Sequence, residues 1–249
     1  MERAPPPPGR SLPSSTLAAV RDQERRAGGG WFITVEGPDG AGKTLVTGRV
    51  RDALEDRGLR TLATREPGGT AVGEQVRRIV LDHAAGDQPI DPRADALLFS
   101  AGRAQLVAEV IRPALERGLI VLDARHIDST LAYQGYGGGL PVAFLRELQM
   151  FATDGLRPDL TVLLDVPVEV GLARKQADEQ TRFEAIFDVA FHERVRRGYL
   201  ALAEAEPDRF VVIDASAPAD DVVERALDAI VARVRTATEP TPRPVRMHR

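Results

Sequence analysis

Trp31-Phe-Ile-Thr-Val-Glu36 runs directly into Gly37-Pro-Asp-Gly-Ala-Gly42-Lys43-Thr44. Five of the first six residues are aromatic or β-branched, the composition of a short buried strand. The next eight match the glycine-rich phosphate loop in full, and Leu45, Val46, Val50 and Leu54 then recur at helical spacing up to Gly58, a residue suited to a helix C-cap. Strand, glycine loop and helix in that order are the context the loop needs. Gly37, Pro38, Asp39, Gly40, Ala41 and Gly42 would wrap a phosphate at a helix N-terminus, all but Pro38 through their backbone N–H groups. Lys43 would neutralise β/γ-phosphate charge and Thr44 would ligate Mg²⁺. Lys43 and Lys175 are the chain's two lysines, so lysine at this place is not background. The loop predicts nucleoside triphosphate binding and leaves the phosphoryl acceptor open.

Outward from the loop, Leu59 to Thr64 reads as a second strand, and Val72, Val76, Ile79 and Val80 as an amphipathic helix. Asp91-Pro92 supplies a cap and first-turn proline for a third helix expected to run to Glu116. Leu119 to Asp123, Leu160 to Asp165 and Phe210 to Asp214 are three further apolar runs, each ending in aspartate. Five strands alternating with helices predict a three-layer α/β domain around a five-stranded parallel sheet, with the loops after the strands gathered at one ligand edge.

The 249 residues, 43% of them hydrophobic, are enough for a large core. No apolar run approaches a bilayer span and no secretory signal opens the chain, so the expected location is the cytoplasm, with no membrane partner. Zero cysteines exclude disulfides, thiolate nucleophiles and cysteine zinc sites. Low aromatic content and a net charge of −4 disfavour nucleic acid as a partner. Residues 1–30 and 235–249 hold eight of the 18 prolines and net charges of +2 and +3, leaving −9 between them. They read as disordered extensions flanking one domain at 31–234; an organelle leader is the alternative for the first, opposed by Glu2, Asp22 and Glu24.

A second group gathers at the same edge. Thr64-Arg65-Glu66-Pro67-Gly68-Gly69-Thr70 follows the second strand, which would put Arg65 over the ligand. Phe99 and Arg103, at i and i+4, would share one helix face and present a ring and a guanidinium to a planar base, against the plainer reading of one core ring and one surface cation. Asp123-Ala124-Arg125-His126 and Ser129-Thr-Leu-Ala-Tyr133-Gln134-Gly135 come after the third strand.

Taken in order, Glu36 through Thr44, Thr64 through Thr70, Leu98-Phe-Ser-Ala-Gly-Arg103, Arg125-His126, Ser129 through Gly135, Arg157-Pro-Asp-Leu-Thr161 and Leu164-Asp-Val-Pro167 resemble the thymidylate kinase family, over nearly all of residues 31–216. The resemblance implies transfer of a phosphoryl group from ATP to dTMP and a homodimer packed through helices. It places Asp39 at the transfer centre, Arg65 and Arg125 on the monophosphate, Phe99 on thymine, Arg103 at its carbonyl edge, and Tyr133 and Gln134 near deoxyribose and base. It also implies a lid, about 171–184, whose Arg174 and Arg182 supply catalytic cations because the loop carries Gly40 where other members have arginine.

One position departs from the family. Ala124 stands where a carboxylate usually helps hold the magnesium shell; Asp123 would point the other way along an extended strand unless a bulge re-aims it, and Asp165 on a neighbouring strand is the second substitute. A nucleotide binder with weakened catalysis is one alternative. A kinase for a modified pyrimidine nucleotide is another, motivated by Tyr136 and Gly137-Gly138-Gly139 beside the expected base pocket.

Overall fold

The computed structural model describes residues 29–81, 90–175, 183 and 187–236; both tails, much of the expected lid and Arg182 lie outside the described residues. Its sheet consists of β1 (Trp31–Glu36), β2 (Thr61–Arg65), β3 (Ile120–Ala124), β4 (Leu160–Asp165) and β5 (Phe210–Asp214), all parallel in the order β2-β3-β1-β4-β5. Successive side chains alternate between two cores. Ile33, Val35, Leu122 and Val162 pack with Val46, Val50 and Leu54 of α1 (Lys43–Glu55) and with Ala226 and Ile230 of the last helix. Phe32 and Val121 face the opposite layer, with Leu106 and Ile111. Two buried faces explain why the strands read as continuous apolar runs rather than alternating ones.

The remaining helices are α2 (Ala71–Leu81), α3 (Pro92–Leu106), α4 (Arg112–Glu116), α5 (Ile127–Thr130), α6 (Val142–Ala152), α7 (Val168–Lys175), α8 (Val189–Ala205) and α9 (Ala219–Thr236). The helix expected to run from Pro92 to Glu116 instead passes through a π-helical turn, Val107–Ile111, before α4. Pro113 has no N–H to give to Glu109, and the wider turn, with Arg112 N–H donating to Val107 O, accommodates the loss. A second π-helical segment, Leu131–Gly137, continues α5. Strand β2 begins two residues later than expected because Gly58, at φ 75°, and Leu59, whose N–H donates to Leu54 O at 3.1 Å, are still closing α1. Asp91 caps α3 as expected, accepting from Arg93 N–H at 2.9 Å. Every strand ends at the same edge, and the glycine loop leaves from the central one.

Candidate active site

At that edge lies a cavity of about 660 Å³, lined at one end by the glycine loop and at the other by Arg65, Phe99 and Arg103. Backbone conformation fixes the loop's sequence. Gly40 sits at φ 72°, and a Cβ there would meet Gly171 O of α7 at 1.9 Å; a Cβ on Gly37 would meet Leu164 O at 2.4 Å. Helix α1 starts from Gly42 with no side-chain cap, which leaves its first N–H groups facing the cavity for an anion. Lys43 is buried and donates to Gly37 O (2.9 Å) and Pro38 O (2.7 Å). Burial, aided by Arg125, lowers its pKa to about 7 in spite of Asp39 and Glu36. A polyphosphate in the loop would reverse that balance.

Asp39 is the junction between the two ends. Its carboxylate accepts from Arg125 Nη2 at 2.5 Å and from the Tyr133 hydroxyl at 2.7 Å, and the Arg125 guanidinium lies 4.9 Å from the centre of the Tyr133 ring. Burial by itself would raise the Asp39 carboxyl; Arg125, Lys43 and Lys175 outweigh it and hold the pKa at about 2. Arg65 is half exposed at the rim, donating to Glu74 Oε1 at 3.1 Å. Phe99 lines the cavity with Phe183, their ring centres 6.3 Å apart. Gln134 also lines it while donating to Asp95 Oδ2 at 3.0 Å. Arg174 and Lys175 of α7 line the loop end, Arg174 donating to Ala215 O at 2.8 Å.

Arg103 lines the cavity with a side chain only 1% exposed, set in a buried network rather than on an open helix face. Its Nη1 donates to Thr130 Oγ1 at 2.9 Å and to Gln149, and its Nη2 to His126 O at 2.9 Å and Glu66 Oε2 at 2.7 Å. The terminal nitrogens are thus saturated, and Nε alone of the guanidinium has no partner among the described residues. Glu66 also bonds His126 Nδ1 at 2.7 Å, and Asp123 Oδ2 lies 3.3 Å from that nitrogen. Burial would lower the His126 pKa, but Glu66 and Asp123 raise it to about 9.

Strand β3 keeps its register through Ala124, which pairs with Val35 and Arg65, so no bulge re-aims Asp123. Asp123 is fully buried within the Glu66 and His126 cluster, while the Ala124 methyl faces the cavity. Burial and the Glu66 charge raise the Asp123 pKa to about 7. Both oxygens of Asp165 are engaged by Arg196, at 2.8 and 2.9 Å. Thr44 is exposed at the cavity. Tyr136 and Gly137 pack away from the cavity against α8: a Cβ on Gly198 would meet the Tyr136 ring at 2.7 Å, and Arg194 Nε donates to Gly137 O at 3.1 Å. Sequence reasoning gave no role to Glu36, Tyr199 or the wall formed by Ala215, Ala217 and Val222. The signal for Glu36 was available, since an acid closing an apolar strand must find buried donors; the wall has no polar signature to find.

A family model described as thymidylate kinase matches residues 35–226. Curated relatives named thymidylate kinase include one from Desulfovibrio desulfuricans, 52% identical over 82% of this chain and 96% of its own length. Another, from Desulforudis audaxviator, is 49% identical over 86% and 94%. A third, from Thermomicrobium roseum, is 52% identical over 82% and 95%. With this geometry and this extent of similarity, the chain belongs to the thymidylate kinase family.

Proposed function

We propose that the cavity transfers a phosphoryl group from ATP to dTMP, giving dTDP and ADP. The observation that carries this is one cavity lined by the phosphate loop, by the guanidinium groups of Arg65 and Arg125, and by the Phe99 ring with Arg103. The acceptor phosphate, with a second pKa of about 6, is mostly a dianion at neutral pH and already nucleophilic, so no general base is required. The work is to bring two anions into line, by positioning and charge neutralisation. Lys43 exchanges its loop carbonyls for donor phosphate oxygens. Arg125 turns from Asp39 toward the acceptor phosphate, while Asp39 stays at the transfer centre and Tyr133 and Gln134 meet the deoxyribose and base. Ala215, Ala217 and Val222 form an apolar wall against which the donor base lies.

The chain's residues fit a magnesium ion in a reduced way. Thr44 offers an exposed hydroxyl beside the phosphate loop, and Ala124 offers no oxygen. Mg²⁺ usually retains several waters and needs one or two protein groups besides phosphate oxygens, so Thr44 would hold it. Bound there, the ion would neutralise phosphate charge. Arg182 belongs to this reading from its motif, as do Arg174 as a cation at the loop end and a homodimer. For the dimer, α2, α3 and α6 pack side by side with Ile79, Leu97 and Phe144 exposed. Tyr136 and Gly137, two of the residues that motivated a modified pyrimidine acceptor, pack against α8, which favours dTMP over that alternative.

Arg65→Ala is the test of the acceptor end. The KM for dTMP should rise about tenfold or more, the size of one lost charge-assisted hydrogen bond, with the KM for ATP little changed. An equal rise in both would refute the assignment.

A further inference from the structure

Glu36 closes β1 as a fully buried acid, and its two oxygens draw in four donors. Oε1 accepts from His126 N–H at 2.7 Å and Ser129 N–H at 3.3 Å; Oε2 accepts from the hydroxyls of Ser129 at 2.6 Å and Tyr199 at 3.0 Å. Those backbone groups open α5, which has no side-chain cap of its own, so the cap comes from a different strand. Burial and the nearby Asp128 raise the Glu36 pKa, with Ser129, Arg125 and His126 opposing them.

The residue just before this capped turn is Arg125, held at φ 74°, a conformation that costs a non-glycine residue on the order of 1 kcal/mol or more. Such strain persists only where surrounding bonds over-determine it. Here β1 grips both sides of it: Val35 O accepts from Arg125 N–H at 3.0 Å, and Glu36 Oε1 takes the next N–H, that of His126. The side chain that this backbone aims is the one reaching Asp39 and Tyr133.

We propose that Glu36 is a positioning residue for the transfer reaction, capping the turn after β3 so that the strained backbone of Arg125 aims its guanidinium at the acceptor phosphate. The inference rests on the reading of Arg125 as a ligand of that phosphate. Glu36 does not touch the substrate. Its effect therefore falls chiefly on the part of the affinity that the phosphate contributes, because Arg103 keeps Glu66 and Gln149, both outside the capped turn, as partners at the base end.

The experiment measures binding of thymidine and of dTMP by calorimetry to the full-length protein and takes the ratio of the two Kd values as the phosphate increment. Wild type should bind dTMP more tightly. If it binds the two alike, the acceptor-site reading fails before any variant is made, and the proposal with it. Glu36→Ala should shrink the ratio about tenfold, the size of one charge-assisted hydrogen bond, with thymidine binding nearly unchanged. Glu36→Gln, which keeps one carbonyl oxygen for the backbone donors, should shrink it about threefold. In an Arg125→Ala background, where the increment is already reduced, Glu36→Gln should change the ratio no further. An unchanged ratio in Glu36→Gln, or an equal loss for thymidine and dTMP, overturns the proposal. Should Glu36→Ala not fold, Glu36→Gln and its Arg125→Ala partner decide alone.

Discussion

Replacing Glu66 by glutamine preserves the shape of the side chain and removes its charge from between Arg103 and His126. The pair Glu66 and Arg103 is 4% and 1% exposed, with 2.7 Å between Oε2 and Nη2, so water cannot compensate the guanidinium when the carboxylate is lost. Breaking a buried pair from one side costs about 3–5 kcal/mol. For a domain of this size each kcal/mol lowers Tm by about 2–4 °C, which gives a drop of about 6–20 °C. Thermal unfolding followed by circular dichroism reads it directly. A second variant, Glu66→Gln with Arg103→Met, removes both charges and should recover at least half of the drop, since replacing a whole buried pair by apolar groups is often close to neutral. A Glu66→Gln protein within 1 °C of wild type, or a double variant less stable than the single one, would refute the view that these two charges are held at mutual expense beneath the base end of the cavity.

Lys43→Ala should reduce kcat about a hundredfold or more with the fold retained, checked by ADP release; turnover near wild type would remove the phosphate-loop assignment. Ala124→Asp restores a carboxylate to the cavity face of β3 and should lower the Mg²⁺ concentration for half-maximal turnover several-fold; an unchanged requirement would show that Thr44 and phosphate oxygens suffice. Because His126 has a folded pKa of about 9, above its ordinary 6.5, its contribution to stability is complete below about pH 6.5 and is lost as pH rises through 9. Tm of the wild type should therefore fall between pH 6 and pH 9.5 more steeply than Tm of His126→Asn, and parallel curves would contradict the buried charge cluster.

The sheet was legible because parallel strands covered on both faces leave apolar runs, and β1, β3, β4 and β5 lie where those runs are; β2, a half-buried edge strand with no such run, was placed two residues early. The helix around Pro113 was legible in extent but not in kind: a proline's missing N–H can be met by a kink, a break or a π-turn, and only the packing of Leu106 and Ile111 into one core decides among them. At the site, the phosphate loop and Arg65 were legible because each is a local motif at a strand end. Arg103 was legible as a residue of the cavity but not as a buried one. Its environment depends on Glu66, His126 and Gln149, brought together from three separate stretches, and no spacing rule spans them. Alternation along β3 correctly turned Asp123 away from Ala124, and the partner it meets there, His126, follows from the sharp turn at Arg125. Glu36 went unassigned although it was read as the last residue of β1, because its donors, His126, Ser129 and Tyr199, come from distant stretches that no local pattern joins to it.

Formation of dTDP from Mg²⁺-ATP by the purified full-length protein, with dTMP, dUMP, UMP, CMP and GMP offered separately against a blank without acceptor, tests the central claim most directly. With dTMP, dTDP and an equal amount of ADP should form, with far slower turnover of the ribonucleotides. ADP release without any acceptor dependence, or no product with dTMP while both nucleotides bind, would contradict it.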